Sequence, residues 1–440
     1  MKFKLKNFGY LLKKNSFKIF KRCNSNKNQQ AVPNEQSLKL LNGIRVCDMT
    51  RVLAGPYCTM ILGDMGAEVI KVERPGIGDD TRHFGPPYVG GESCYYLAVN
   101  RNKKSIAVDF HTKEGVEIIQ ELAKTSDVFI ENYIYGKLDA VGLGYETLKA
   151  INPRLIYCSI TGYGSRGLLS DIVKPGYDLV ASSIGGLNAV TGPEDGEPCR
   201  VGVAVTDIMT GMYAHGAILA ALYQREITKL GTKIDTSLLQ TQVAVMSHIG
   251  SDFLNAGVKA PRYGTGHRAI VPYQAFEAGD GQMFVIGVAN DNLFQKFCLA
   301  MDLSLLLNDE RFKSNKYRVI HRNELIPIIS EKIKTKPADY WITALENAGV
   351  PCGSINDIEQ VFKIPQVKEL DLIQELLHPT AGLIKICGPA VDFNGKSILQ
   401  TPLHPPLLGE HTKHVLSEIL HYDEGKINDF LGKNVISTLN

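Results

Sequence analysis

The chain of 440 residues contains no uninterrupted apolar run approaching the ~18 residues that a membrane span needs, so no span is expected. Its nine cysteines (Cys23, Cys47, Cys58, Cys94, Cys158, Cys199, Cys298, Cys352 and Cys387) are odd in number and form no CxxC pair. That excludes a disulfide framework and points to reduced thiols. No His, Cys and carboxylate cluster has zinc or iron spacing, so His404, His411 and His414 read as surface or interface histidines and no metal is expected. The first glycine-bearing turn, Arg51-Val52-Leu53-Ala54-Gly55-Pro56, lacks GxGxxG, which argues against a nicotinamide dinucleotide. A net charge of +2, with 21% of residues charged, provides no basic face for nucleic acid.

What charge asymmetry exists is confined to the start. Lys2, Lys4, Lys6, Lys13, Lys14, Lys18, Lys21, Arg22 and Lys27 precede the first acidic residue, Glu35, with Phe3, Leu11, Phe17 and Phe20 interleaved. An acid-poor, basic, amphipathic segment without an apolar core suits a mitochondrial transit peptide rather than a secretory signal. Residues 1–37 are therefore read as a leader, and the rest as a soluble matrix protein.

From Leu40 onward short β-branched runs alternate with helical stretches. Ile44 to Met49 is strand-like, Pro56 to Gly66 helical with Pro near its start, and Ala67 to Val72 a second strand, a right-handed βαβ unit. Lys113 to Lys124 and Tyr145 to Ile151 read as helices; Asp127 to Ile130, Arg154 to Ile160 and Lys233 to Ser237 read as strands. Helices are also expected over Asp178 to Ala189 and Asp207 to Arg225. The fold class is α/β: a doubly wound, Rossmann-like large domain over 38–240. Residues 241–261 form a linker helix. A smaller α+β domain over 262–360 opens with a hairpin around Gly279-Asp280-Gly281. Residues 361–401 lead back, and 402–440 carry terminal helices.

Asp207 stands where the stretch Arg200 to Thr206 meets the helix through Met212, Ala217, Ile218 and Leu222. A carboxylate there can cap the helix, or it can attack an acyl carbon, being ionised at neutral pH when its pKa is near the ordinary ~3.9. Arg74 follows the second strand, where an Arg in dinucleotide folds accommodates a ribose phosphate. That placement suits CoA, whose ADP group is phosphorylated, although a solvated Arg would look the same.

The stretches Arg51 to Pro56, Gly63 to Pro75, Asn100 to Ser105, Glu131-Asn132, Tyr157 to Gly164, Gly176 to Asp178, Ile270 to Phe276 and Pro406 to Thr412 together resemble the family III CoA-transferases of the CaiB/BaiF type. The resemblance runs from about Leu40 to the C terminus. It implies two domains closed into a ring, two rings interlocked as a homodimer, and terminal helices packing back on the large domain. It implies a CoA thioester as substrate, with no permanently bound cofactor, and CoA moving between dicarboxylic acids, with succinyl-CoA as donor and 3-hydroxymethylglutarate or glutarate as acceptor.

Residue by residue, Asp207 falls on the family's catalytic aspartate. Arg74, Asn132 and Tyr133 fall on positions lining the CoA nucleotide site, and Arg51, Leu53 and Ala54 on the loop beside the thioester. Gly264, Thr265, Gly266 and His267 resemble the glycine loop that covers the intermediate. Ala140 and His111 depart from the family's Arg and Lys, so Lys104 or Lys137 is expected to supply phosphate contacts. For the distal carboxylate of a dicarboxylic acid, Arg101 is the first candidate, ahead of Arg82, Arg262 and Arg268. Asp178 is expected to shape the pocket or cap its own helix. Two other readings stay open: proton transfer of the α-methylacyl-CoA racemase kind, weakened because that branch carries His where Tyr177 precedes Asp178, and a non-catalytic acyl-CoA binding protein.

Overall fold

The computed structural model describes residues 39–168, 176–399 and 402–439, and the leader read at 1–37 lies outside the described residues. Six parallel strands, β1 (Arg45–Asp48), β2 (Glu68–Glu73), β3 (Lys103–Val108), β4 (Val128–Glu131), β5 (Ile156–Thr161) and β6 (Lys233–Ser237), form one sheet in the order β3-β2-β1-β4-β5-β6. A seventh strand, Ile436–Ser437, pairs antiparallel on the outer edge of β3. The order reverses between β1 and β4. In a doubly wound sheet a crevice opens there, beyond the carboxyl ends of the strands.

Strands covered on both faces read as continuous apolar runs. One face, with Val46, Val69, Val128 and Ile156, packs on α1 (Ala54–Asp64) and α4 (Val205–Thr228). The other, with Cys47, Ile70, Ile106 and Phe129, packs on α2 (Lys113–Lys124) and on Val415, Leu416, Ile427 and Phe430 near the C terminus. Helix α2 buries Ile118, Ile119 and Leu122 on one stripe, the i, i+3, i+4 spacing that makes it amphipathic. Thr112 caps it, accepting the Gly115 N–H at 3.0 Å.

Where α1 and α4 cross, Gly211 is indispensable. A Cβ at Gly211 would lie 2.5 Å from the Ala54 carbonyl oxygen, so only glycine permits this approach of the two backbones. Asp207 lies one turn earlier on the same face of α4, and is thereby held beside the first turn of α1. Over part of its length α4 is apolar enough to span a membrane, but it is the core helix of this sheet. It starts at Val205, two residues before the expected Asp207. The helix expected over Asp178 to Ala189 ends sooner: α3 is Asp178–Ile184, stopped by Gly185 and by Gly186 in the left-handed region at φ 87°.

A second core surrounds β7 (Tyr273–Glu277), β8 (Met283–Gly287) and β9 (Cys352–Ser354), an antiparallel sheet backed by Phe297, Leu325, Ile329 and Trp341. The segment between the two sheets is a pair of helices, α5 (Leu238–Val245) and Ser247–Ala256.

Arg101 is part of the fold. Its guanidinium binds both oxygens of Asp64, at 2.9 and 2.6 Å, and the Cys387 carbonyl at 2.8 Å, leaving the side chain 3% exposed. Removing one partner of such a pair strands a buried charge. Arg101→Ala is expected to lower the unfolding free energy by about 3–5 kcal/mol, read from urea denaturation.

Candidate active site

Two adjoining cavities occupy the crevice at the sheet's switch point. The first, about 110 Å³, is lined by Arg51, Leu53, Ala54, Asn132, Tyr133, Tyr177 and Asp207, among others. The second, about 160 Å³, is lined by Arg74, Lys71, Asp80, His111, Tyr133 and Lys137 among others. Arg51 and Tyr133 belong to both and form the wall between them. The Arg51 guanidinium lies 5.5 Å from the centre of the Tyr133 ring, and the Lys137 ammonium 5.3 Å from it.

The loops after β1 and β4 are tied to each other by one side chain. Asn132 accepts the Arg51 N–H at 2.9 Å and donates to the Arg51 carbonyl at 2.7 Å. The turn after β4 is held from beneath by Glu131, which accepts the Tyr133 N–H at 2.7 Å and a very short bond from Ser159. Burial pushes the Glu131 carboxyl up to about 7.

Asp207 does not cap its own helix. The cap comes from Asp178, whose Oδ1 accepts the N–H of Thr206 at 2.9 Å and of Asp207 at 3.2 Å, so Asp178 serves α4 rather than the helix it opens. Two carboxylates thus share the positive end of one helix. Burial, and then the charge of Asp178, raise the Asp207 carboxyl to about 7, which corrects the expectation of an ordinary acid already ionised at neutral pH. No side chain caps α1, whose first turn lines the same cavity with Leu53 and Ala54.

Two residues outside the lining of this cavity, linked to its carboxylates by charge, carried no signal in the sequence. Tyr95, in a short helix capped by Ser93, is raised to about 12 by burial and then by Asp207, Asp178 and Asp79, while Arg200 acts in the opposite direction. The Tyr95 ring meets Phe84 edge-on at 5.7 Å. Among the described residues the Arg200 guanidinium bonds only the carbonyls of Val201 and Gly202, at 3.3 and 2.9 Å.

Other expected residues lie elsewhere. Arg101 is taken up by Asp64, as described above. Lys104 sits near the start of β3, opposite Ile70, and binds Glu68 at 2.7 Å; it faces away from the strand ends where the cavities open and lines neither of them. Arg82 is bound to Glu73 at 2.8 and 2.7 Å, Arg268 to Asp252 at 2.6 Å, and Arg262 to the Gly196 carbonyl at 2.5 Å. Gly264 to His267 do not line the Asp207 cavity. The Gly264 N–H donates to the Gly192 carbonyl at 3.0 Å, Thr265 accepts the Ala275 N–H at 3.0 Å, and the His267 ring lies 5.5 Å from that of Tyr273.

Residues 41–412 match the model of CoA-transferase family III. The chain belongs to CoA-transferase family III. It is 51% identical over 400 residues to succinyl-CoA:glutarate CoA-transferase of Homo sapiens, covering 91% of this chain and 90% of that one. The Mus musculus protein of the same name is 50% identical over 400 residues, covering 91% of each. A solved CAIB/BAIF family protein from Brucella suis superposes with a TM-score of 0.76 at 39% identity, covering 86% of this chain and 99% of that one.

With Asp207 as the reacting group, its raised carboxyl predicts a pH dependence for this family III enzyme. If the ionised form reacts, kcat/KM for acyl-CoA rises about tenfold per pH unit below about 7 and levels off above it. Asp178→Asn removes the like charge, so the rising limb is expected to move to lower pH; a stopped assay from pH 5 to 9 reads the shift.

Proposed function

We propose that the enzyme moves CoA from succinyl-CoA to glutarate through covalent intermediates on Asp207. The observation that carries this reading is the placement of Asp207, half-buried and flanked by Asp178, in a cavity that adjoins a second one lined by Arg74, His111 and Lys137. The Homo sapiens and Mus musculus relatives' names favour glutarate over 3-hydroxymethylglutarate as acceptor.

In the first step the Asp207 carboxylate attacks the succinyl carbonyl carbon, the C–S bond breaks, and an aspartyl-succinyl anhydride forms with CoA thiolate. The thiolate then attacks the Asp207 acyl carbon, releasing succinate and leaving an aspartyl-CoA thioester. Glutarate carboxylate displaces the thiolate to give an aspartyl-glutaryl anhydride. Return of the thiolate to the glutaryl carbon yields glutaryl-CoA and restores Asp207.

Each tetrahedral stage develops an oxyanion, and the uncapped first turn of α1 offers N–H donors and a positive dipole end to meet it. Holding CoA in the Arg74 and Tyr133 chamber keeps thiolate and acyl carbon together, a proximity that corresponds to effective molarities of ~10⁵–10⁸ M. Anhydrides hydrolyse readily, so the segment Gly264 to His267 is assigned the role of excluding water once substrate is bound. Of the arginines near the site, Arg200 is assigned to the distal carboxylate, because its guanidinium holds only neighbouring carbonyls and it lies close enough to Tyr95 to act on that phenol.

The same reading includes a homodimer of interlocked rings. Helix α4 leaves Met212, Tyr213, Tyr223 and Ile227 exposed, an apolar face suited to a second copy. It also includes the mitochondrial matrix, on the composition of residues 1–37.

Asp207→Asn is expected to lower transfer by roughly three orders of magnitude or more. Its melting temperature should not fall, since the change removes repulsion from Asp178. Hydroxylamine trapping after incubation with succinyl-CoA should mark residue 207 in the wild type alone, and a folded variant with normal turnover would remove the nucleophile. Arg200→Met is expected to raise KM for glutarate about tenfold or more, the loss of one charge-assisted pair, with KM for succinyl-CoA changing less. Equal KM values for glutarate in the two proteins would reassign the distal carboxylate.

A further inference from the structure

Val52 is a β-branched residue in the left-handed region, at φ 68°, in the loop that lines the Asp207 cavity. Side chains of this kind avoid that conformation because Cβ crowds the neighbouring backbone, and they persist there only where surrounding bonds over-determine the chain. The bonds are present. The Val52 N–H donates to Asp79 Oδ1 at 3.1 Å. Two residues earlier, the Thr50 carbonyl accepts from the Lys71 ammonium at 2.7 Å, and the same ammonium donates to Asp79 Oδ2 at 2.8 Å. Between them Arg51 is held at both its N–H and its carbonyl by Asn132.

Lys71 and Asp79 are fully enclosed side chains, on β2 and on the loop that follows it. Asp79 is fixed in turn by the Thr81 N–H at 2.9 Å and hydroxyl at 2.8 Å, and its own N–H donates to Glu73 at 2.9 Å. A buried ion pair contributes little net stability over well-packed apolar residues, so the reason for this one lies in what it holds.

We propose that the buried Lys71–Asp79 pair is a positioning device for CoA transfer: it clamps Val52 in the left-handed conformation and thereby sets where Arg51, Leu53 and Ala54 stand relative to Asp207. Both residues border the second chamber, but their enclosed side chains are spent on each other and on the loop, so each acts through the loop backbone. The inference rests on the Asp207 cavity being the site of transfer.

The test is the sign of a coupling. Lys71→Met combined with Asp79→Ala removes both charges and the clamp, and is expected to lower kcat for transfer at least tenfold in the folded enzyme. Adding Val52→Gly should then recover threefold or more, because glycine occupies the left-handed region unaided. A core pair with no positioning role gives the opposite result: the glycine, which also deletes a cavity-lining side chain, lowers the rate further, and that outcome overturns the proposal. Hydrogen exchange on the unmodified enzyme decides independently of whether the variants fold. The Val52 amide should exchange as slowly as the amides of β1, and complete exchange at the shortest labelling time overturns the clamp. Neither outcome bears on Asp207 itself, whose role stands or falls with the Asp207→Asn enzyme.

Discussion

Beneath the switch point of the sheet lies a closed set of charges on which the crevice depends. Three carboxylates, Asp48, Glu73 and Asp79, and three cations, Lys71, Arg82 and Lys103, are all buried or nearly so. Lys103 joins Asp48 to the Asn100 side chain and the Pro56 carbonyl, Arg82 joins Glu73 to the Tyr96 ring, and Ser105 bridges Glu73 to the C-terminal segment at Gly409. Burial lowers Lys103 to about 8, whereas Lys71, equally buried, is carried upward by Asp79, Asp48 and Glu73. Such a set is costly to build unless every member is paired, and here every member is paired to something that shapes the loops after β1 and β2.

On top of this rigid base the chemistry depends on a deliberate mismatch. Asp178 and Asp207 crowd a single helix end, so the acid of the second is weakened while the backbone of Thr206 and Asp207 is fixed by the side chain of the first. A carboxylate with a raised pKa is a more basic nucleophile than a free one and is kept ready by geometry rather than by a separate base. The wall of Arg51 and Tyr133 divides the crevice into a chamber that holds Asp207 and a chamber lined by Arg74, His111 and Lys137.

Much of this was readable in one dimension, for stated reasons. The bounds of α2, of the helix Tyr145–Ile151 and of β6 coincide with their apolar periodicity, because those elements bury one clean face or lie between turn residues. Strand β3 escaped, since it begins Lys103-Lys104-Ser105 and a hydrophobic pattern cannot register a lysine whose charge is cancelled by Asp48 from another strand. The terminal strand Ile436–Ser437 is too short to carry a pattern. Arg51, Leu53, Ala54, Asn132, Tyr133 and Asp207 converge on one cavity. Arg101 and Lys104 do not, and their partners, Asp64 and Glu68, lie more than thirty positions away, where spacing says nothing about pairing. The raised pKa of Asp207 was hidden for the same reason, because Asp178 arrives from a different segment.

The crossing at Gly211 separates reactivity from selectivity. Where the backbones of α1 and α4 meet, their separation is set by main-chain contact at Gly211 and not by a side chain of α4. Under the proposed reading, the periphery that carries Arg200 and Tyr95 can change its side chains without moving the two backbones that meet at Gly211, so that one scaffold accepts a succession of carboxylic acids while the covalent cycle stays the same.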